Sequence, residues 1–145
     1  MIKQLTAENL IKILEISVEQ FKEESWSKQQ YLSSLAEPNT LIFYNIKNNV
    51  ACGFLVVQVV LDEINILLIA TKESYKKQNV ASELLEYLIS FAEKNNIKKI
   101  WLEVKEDNTP AQKLYFKFNF NLINIRKNYY KNNKNALILE KIIKN

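Results

Sequence analysis

Two side chains of this sequence are spaced for proton transfer. Glu103 lies in the run Trp101-Leu102-Glu103-Val104-Lys105, and Tyr115 follows after Asn108, Ala111 and Leu114. The first run reads as a strand over 97–104 and the second as a short helix over 110–118, with Pro110 suited to its first turn. One carboxylate and one phenol are thereby carried by successive elements. The chain contains no histidine, so a Glu–Tyr pair is among the few means left for handling protons near neutral pH. Taken singly, each residue is ordinary. A strand Glu is commonly solvated, a helix Tyr is commonly a core aromatic, and Asn108 is most simply a helix cap. Their joint spacing is what points to chemistry.

A second candidate region precedes them. The apolar strand 64–70 runs into Thr71-Lys72-Glu73-Ser74-Tyr75-Lys76-Lys77-Gln78-Asn79-Val80-Ala81, and a long helix opens there. A helix N-terminus offers unpaired N–H groups and partial positive charge, which suit a phosphate. Lys76 and Lys77 add full charges at the same place. An ordinary exposed strand–helix turn has the same composition, so this stretch alone decides nothing.

The elements that must position these residues are legible in the periodicity. Thr6 is a candidate cap for a first helix carrying Leu10, Ile13 and Leu14. Ser27 opens a second, with Gln30 completing a capping box and Trp26 and Tyr31 placed as a hydrophobic staple. Strands are expected over 41–44 and 50–61 around a Lys47-Asn48-Asn49 turn. Segment 64–70 is nearly all apolar, the pattern of a strand buried on both faces. The helix over 81–93 carries Leu84, Leu85, Leu88 and Phe91 on one stripe. On strand 97–104, Ile100, Leu102 and Val104 share one face and leave Trp101, Glu103 and Lys105 on the other. Two last strands, 120–126 and 136–143, flank a Lys/Asn/Tyr-rich loop. The order predicts one α/β domain over residues 1–145, built on a mixed sheet flanked by helices.

Composition narrows the function further. Nearly half of the 145 residues are apolar, enough for a core, and the net charge is +4. The single cysteine, Cys52, excludes an internal disulfide and sits in an apolar strand as a buried thiol. Without histidine, Cys/His zinc sites and Ser-His-Asp triads are excluded, and no metal is expected. Lys3, Glu8 and Lys12 interrupt any apolar leader, and no apolar run is long enough for a helical membrane span. The expectation is a soluble cytoplasmic protein with no direct contact to nucleic acid or membrane.

The ordered set of these motifs resembles the GCN5-related N-acetyltransferase (GNAT) superfamily, and within it the RimI type, the ribosomal-protein alanine N-acetyltransferases. Its carriers are Trp26-Ser27, Val59-Val60-Leu61-Asp62-Glu63, Ile69-Ala70, Tyr75 to Ala81 and Trp101-Leu102-Glu103-Val104. Asn108, Ala111, Leu114-Tyr115, Phe120 and Arg126-Lys127-Asn128-Tyr129-Tyr130 complete it. The resemblance implies a sheet whose two central parallel strands splay apart around acetyl-CoA. It implies that the backbone of Ile69, Ala70 and Thr71 pairs with the pantetheine arm. Lys76, Lys77, Gln78, Asn79, Val80, Ala81 and Ser82 would surround the pyrophosphate, with Asn108 and Tyr115 also contacting the cofactor. Glu103 aligns with the general base and Tyr115 with the general acid. Trp26, Glu63, Tyr129 and Tyr130 are the implied contacts for the acceptor, the N-terminal amine of a ribosomal or other protein.

The departures from the family pattern are specific. Asn79 stands where the phosphate turn usually has its central glycine, Lys77 where glycine or arginine is frequent, and Asn119 where glycine usually precedes Phe120. Asn tolerates left-handed backbone, so both turns remain buildable. Lys134 and Asn135 replace an acidic pair before the last strand. That change motivates an alternative acceptor: a small amine, a Lys side chain or an antibiotic. The altered phosphate turn motivates a third reading, a CoA-binding or ribosome-associated module without turnover.

Overall fold

In the computed structural model, which describes residues 1–144, the chain opens with β1 (Ile2–Gln4), α1 (Ile11–Phe21) and α2 (Lys28–Ala36). Three strands follow, β2 (Thr40–Lys47), β3 (Val50–Val60) and β4 (Glu63–Thr71). The rest is α3 (Val80–Lys94), β5 (Lys99–Lys105), α4 (Thr109–Lys117), β6 (Asn121–Arg126) and β7 (Ala136–Ile142). The strands form a seven-stranded sheet in the order β1-β2-β3-β4-β5-β7-β6. β4 and β5 run parallel, joined through α3, and every other neighbouring pair is antiparallel. This is the mixed α/β sheet that the order of elements predicts. β1 is too short to leave a periodic signal and was not foreseen.

Side-chain caps set the starts of α2 and α4. Ser27 Oγ accepts from the Gln30 N–H at 3.1 Å, and Gln30 Oε1 accepts from the Ser27 N–H at 2.6 Å. The Trp26 and Tyr31 rings, 5.2 Å apart, complete the staple. α4 is capped by Asn108 Oδ1, which accepts from the Ala111 N–H at 3.3 Å. The expectation for Thr6 fails. It precedes a single 3-10 turn (Ala7–Asn9) without a side-chain cap, and α1 begins beyond the buried Leu10. Packing of Leu10 into the core sets this entry, and the capping preference of Thr6 is overridden.

The sheet is covered on both faces. Ile13, Ile16 and Tyr31 of the first two helices pack with Ile42, Phe54 and Val56 on one side. Leu84, Leu85, Leu88 and Tyr115 pack with Leu55, Val57, Ile100 and Leu102 on the other. Each of the three α3 leucines is fully buried, worth about 2 kcal/mol of apolar transfer apiece.

β4 corrects the expectation of a strand buried on both faces. Val57 pairs with Ile66 and Val56 with Leu68, so Leu67 is an unpaired bulge residue. The bulge inverts the alternation. Ile64 and Ile66 belong to the α3 side of the core, whereas Leu68 and Ala70 pack on the α1 side. The even-numbered residues are thus buried along the whole run, against opposite faces of the sheet in its two halves. Leu67 itself stays 37% exposed.

Candidate active site

The site begins where that bulge sits. β4 and β5 pair from Glu63–Lys99 to Ile66–Leu102, and the ladder stops there. Beyond it the strands part, leaving a cleft whose walls are Ile69, Ala70 and Thr71 on one side and Glu103, Val104 and Lys105 on the other. Two chambers of about 430 and 410 Å³ share Gln20, Phe21, Ile69, Asn108 and Ala111 in their walls. The β4 edge facing the gap has no strand partner past Ile66, so its backbone groups can pair with an extended guest.

The first chamber reaches the start of α3 and is lined by Lys76, Lys77, Asn79, Val80, Ala81 and Ser82. α2 and α4 close their N-termini with a side chain, but Asn79 makes no such cap on α3. The first-turn N–H groups are therefore open to an anion. Lys77 and Asn79 both adopt left-handed backbone, each at φ 63°. Asn119 does the same at φ 66°. The two asparagines thus hold the conformation for which glycine is otherwise used. Lys76 is engaged by Glu73 at 3.3 Å, whereas Lys77 makes no ion pair among the described residues. Hydrogen bonding from Gln20, then Lys76, holds Glu73 below the usual carboxylate range.

The start of α3 is anchored from beneath. Fully buried Asn45 donates to Glu83 Oε1 at 2.9 Å and to the Val80 carbonyl at 3.4 Å. Lys47 reaches the same carboxylate at 2.9 Å. Asn45, then Lys47, lower the Glu83 pKa. Gly53, the one glycine of the chain, lies under Val80. A Cβ there would come 2.5 Å from Val80 Cγ1 and 2.9 Å from the Ala70 carbonyl oxygen. This close approach lets helix and sheet meet at the head of the cleft.

The second chamber holds the titratable groups: Glu103, Tyr115, Tyr130, Glu24 and Lys105, together with Asn108. Tyr115 is buried, its ring 5.3 Å from Phe120, and desolvation raises its pKa well above the usual phenol value. It keeps its proton across the physiological range. Glu103 Oε1 accepts from Arg126 Nη1 at 2.8 Å. Its Oε2 has no hydrogen bond or ion pair among the described residues. The Arg126 guanidinium carbon stands over the Tyr129 ring, 4.0 Å from its centroid, and Tyr129 meets Tyr130 edge-on at 5.1 Å. Lys105 sits 5.2 Å above the Tyr130 ring and 3.6 Å from Glu24. Burial first, then the neighbouring Glu103 charge, pushes the Tyr130 phenol up. A carboxylate with a free oxygen and a phenol that retains its proton can take and return protons in one chamber.

Most of the residues singled out from the sequence meet in this cleft. Ile69, Ala70, Thr71, Lys76, Lys77, Asn79, Val80, Ala81, Ser82 and Asn108 line the first chamber, and Glu103, Tyr115 and Tyr130 the second. Tyr129 stands behind Tyr130 on Arg126. Gln78 turns away and donates to the Ser74 carbonyl. Trp26 is spent on the α2 staple, and Glu63 lies at the paired end of β4, 3.8 Å from Lys99. Neither lines the cleft. Gln20, Leu67 and Lys105 line it without having been singled out. Their contribution depends on the bulge and on where α1 ends, which periodicity does not encode.

Comparison with known proteins agrees with this geometry. The family model for the acetyltransferase (GNAT) family matches residues 9–120. An Escherichia coli protein named [ribosomal protein bS18]-alanine N-acetyltransferase is 38% identical over 105 residues, 72% of this chain and 70% of its own length. A Bacillus subtilis relative, 30% identical over 141 residues, extends the likeness to 95% of this chain and 92% of its own. The crystal structure of the Escherichia coli ribosomal-protein-S18-alanine N-acetyltransferase superposes with a TM-score of 0.92 at 31% identity, covering 100% of this chain and 94% of that one. The chain thus belongs to the acetyltransferase (GNAT) family, whose acetyl donor is acetyl-CoA.

Proposed function

We propose that this chain transfers the acetyl group of acetyl-CoA to the N-terminal α-amine of a protein, the N-terminal alanine of a small-subunit ribosomal protein being the acceptor. The observation that carries the reading is the convergence of Glu103 and Tyr115 on the chamber that opens where β4 and β5 part. The names of the Escherichia coli relatives supply the acceptor. Residues 1–145 act as one catalytic domain, and its setting is the cytoplasm.

The residues present fit the donor. The uncapped start of α3, with Lys77 beside it, has the donor set for a pyrophosphate. The unpaired edge of β4 offers Ile69, Ala70 and Thr71 to an amide-bearing arm, and Asn108 lies between the two chambers. Gln78 is the member of the turn whose side chain is engaged elsewhere. Bound there, acetyl-CoA supplies the activated acetyl group.

Glu103 then receives the proton of the incoming amine, directly or through a water, on its free oxygen. An α-amine has a pKa near 7.7–8.0, so releasing its proton at pH 7 costs only about 1 kcal/mol, against roughly 4–5 kcal/mol for a Lys amine. A carboxylate is an adequate base for the first. Tyr115, kept protonated by burial, holds a proton for the departing sulfur. Transfer is direct, in a ternary complex, and no enzyme nucleophile is needed. Tyr130 and the Phe21–Glu24 turn flank the acceptor's entry.

The test is mass spectrometry of alanine-starting peptides and of ribosomal proteins incubated with the protein and acetyl-CoA. A gain of one acetyl on the N-terminal alanine is expected. Acetylation confined to Lys side chains, polyamines or aminoglycosides would move the acceptor to the alternative class. Binding of acetyl-CoA without thiol release for any acceptor would leave the non-catalytic reading.

A further inference from the structure

The chain has 20 basic residues, and one of them is arginine. That arginine is Arg126, and its guanidinium makes two contacts at once. It donates from Nη1 to Glu103 Oε1 at 2.8 Å, and its Cζ stands over the Tyr129 ring, 4.0 Å from the centroid. A planar guanidinium can stack through its face while donating in its plane, whereas a lysine ammonium is a hydrated point charge that cannot do both. Every other cationic side chain here is lysine. Position 126 is the one place where the geometry of arginine is used.

We propose that Arg126 is a positioning residue. Held against Tyr129, it fixes the Glu103 carboxylate and balances its charge, so that the acceptor amine gives up its proton to Glu103 and is not held there as ammonium. The inference rests on the reading of Glu103 as base. An unbalanced carboxylate would attract the acceptor as ammonium, the form that cannot attack. Paired with Arg126 it presents one free oxygen and little net charge. The remaining groups around the chamber do not substitute for this balance. Lys105 is shared between Glu24 and the Tyr130 ring, and the Tyr115 and Tyr130 phenols, both pushed up by burial, are neutral near pH 7. Arg126 is 47% exposed and Glu103 20%, so the contact is partly screened but not a free surface pair.

The test uses Arg126→Gln and Arg126→Lys in the full chain, with an alanine-starting peptide and acetyl-CoA. In Arg126→Gln, kcat is expected to fall by about tenfold and the acceptor KM by about threefold at pH 6.5. The rise of kcat with pH is expected to move up by about one unit, because the bound ammonium is stabilised. Arg126→Lys restores the position of that rise but only part of kcat. A second readout needs no turnover. With a single arginine, ¹⁵N-arginine labelling gives one guanidinium signal, expected to show slow rotation in the wild type and fast rotation in Glu103→Gln. Unchanged kcat and pH dependence in Arg126→Gln overturns the proposal. Faster turnover overturns it too, since Arg126 would then be a lock on the base. So does Arg126→Lys with full wild-type kinetics. Near-normal turnover in Glu103→Gln sinks instead the assignment of the base, while the guanidinium signal still reports whether the clamp exists.

Discussion

Tyr115 and Glu103 share a chamber but live in opposite environments, and this sets what each substitution does. Tyr115 is enclosed, so Tyr115→Phe keeps the packing on Phe120 and removes only the hydroxyl. Glu103→Gln keeps the shape and removes the charge. Each is expected to lower kcat by more than about tenfold, with a thermal melt close to wild type. Near-normal turnover in both would end their assignment. The raised Tyr115 pKa also has a stability consequence. The unfolded phenol ionises near pH 10 while the folded one holds its proton, so its contribution is intact below about pH 10 and is lost as pH rises beyond. Tyr115→Phe should therefore melt with a smaller loss between pH 8 and pH 11 than the wild type. Both residues were legible because strand alternation and helix spacing place them. Arg126 was read as part of the tyrosine-loop motif without a role, since its partner, Glu103, is 23 residues away in sequence. Trp26 and Glu63 lie off the cleft for physical reasons: a staple claims one and Lys99 the other.

At the level of elements, the head of α3 shows how a glycine-poor chain builds a tight turn. Among the described non-glycine residues at positive φ are Asn48, Asn49, Asn79, Asn96, Asn119, Asn128, Asn132 and Asn133. Asparagine meets the backbone demand of such positions, and the sequence showed this at Asn79 and Asn119. It cannot meet a demand for space, and Gly53 occurs where space is the requirement. Two expectations follow from this difference. Asn79→Ala should cost about 1 kcal/mol of stability and raise the KM for acetyl-CoA, because alanine adopts left-handed backbone less readily than asparagine. Asn79→Gly should leave stability within about 1 kcal/mol and hold or lower that KM. Gly53→Ala should lower stability by about 1–3 kcal/mol through the collision with Val80 and the Ala70 carbonyl. It should also weaken acetyl-CoA binding as α3 is pushed off the sheet, which calorimetry with coenzyme A would measure. Equal binding in wild type and Gly53→Ala would separate the two. The replaced pair at 134–135 has a use of its own: Asn135 Oδ1 accepts from the Asn128 N–H at 2.9 Å, and the Lys134 carbonyl accepts from the Tyr130 N–H at 3.0 Å. These bonds close the tyrosine loop.

Across the whole molecule, the mixed sheet and its helices were legible because caps mark α2 and α4 and apolar period marks α3 and β5. The Leu67 bulge was not, because a nearly all-apolar run gives the same signal whether a strand is buried on two faces or changes face midway. That feature matters most for how the sheet exchanges with water. Past Ile66, alternate amides of β4 point into the gap and have no strand across from them. In deuterated solvent they should exchange far faster than those of the paired half, Glu63 to Ile66. Coenzyme A is expected to slow exchange over Leu67 to Thr71 by about tenfold or more and to leave the paired half unchanged. Uniform slowing along β4, or none, would contradict a ligand arm laid against that edge. The centre of this sheet thus contains a stretch whose protection is set by occupancy, a built-in reporter of whether the enzyme is loaded.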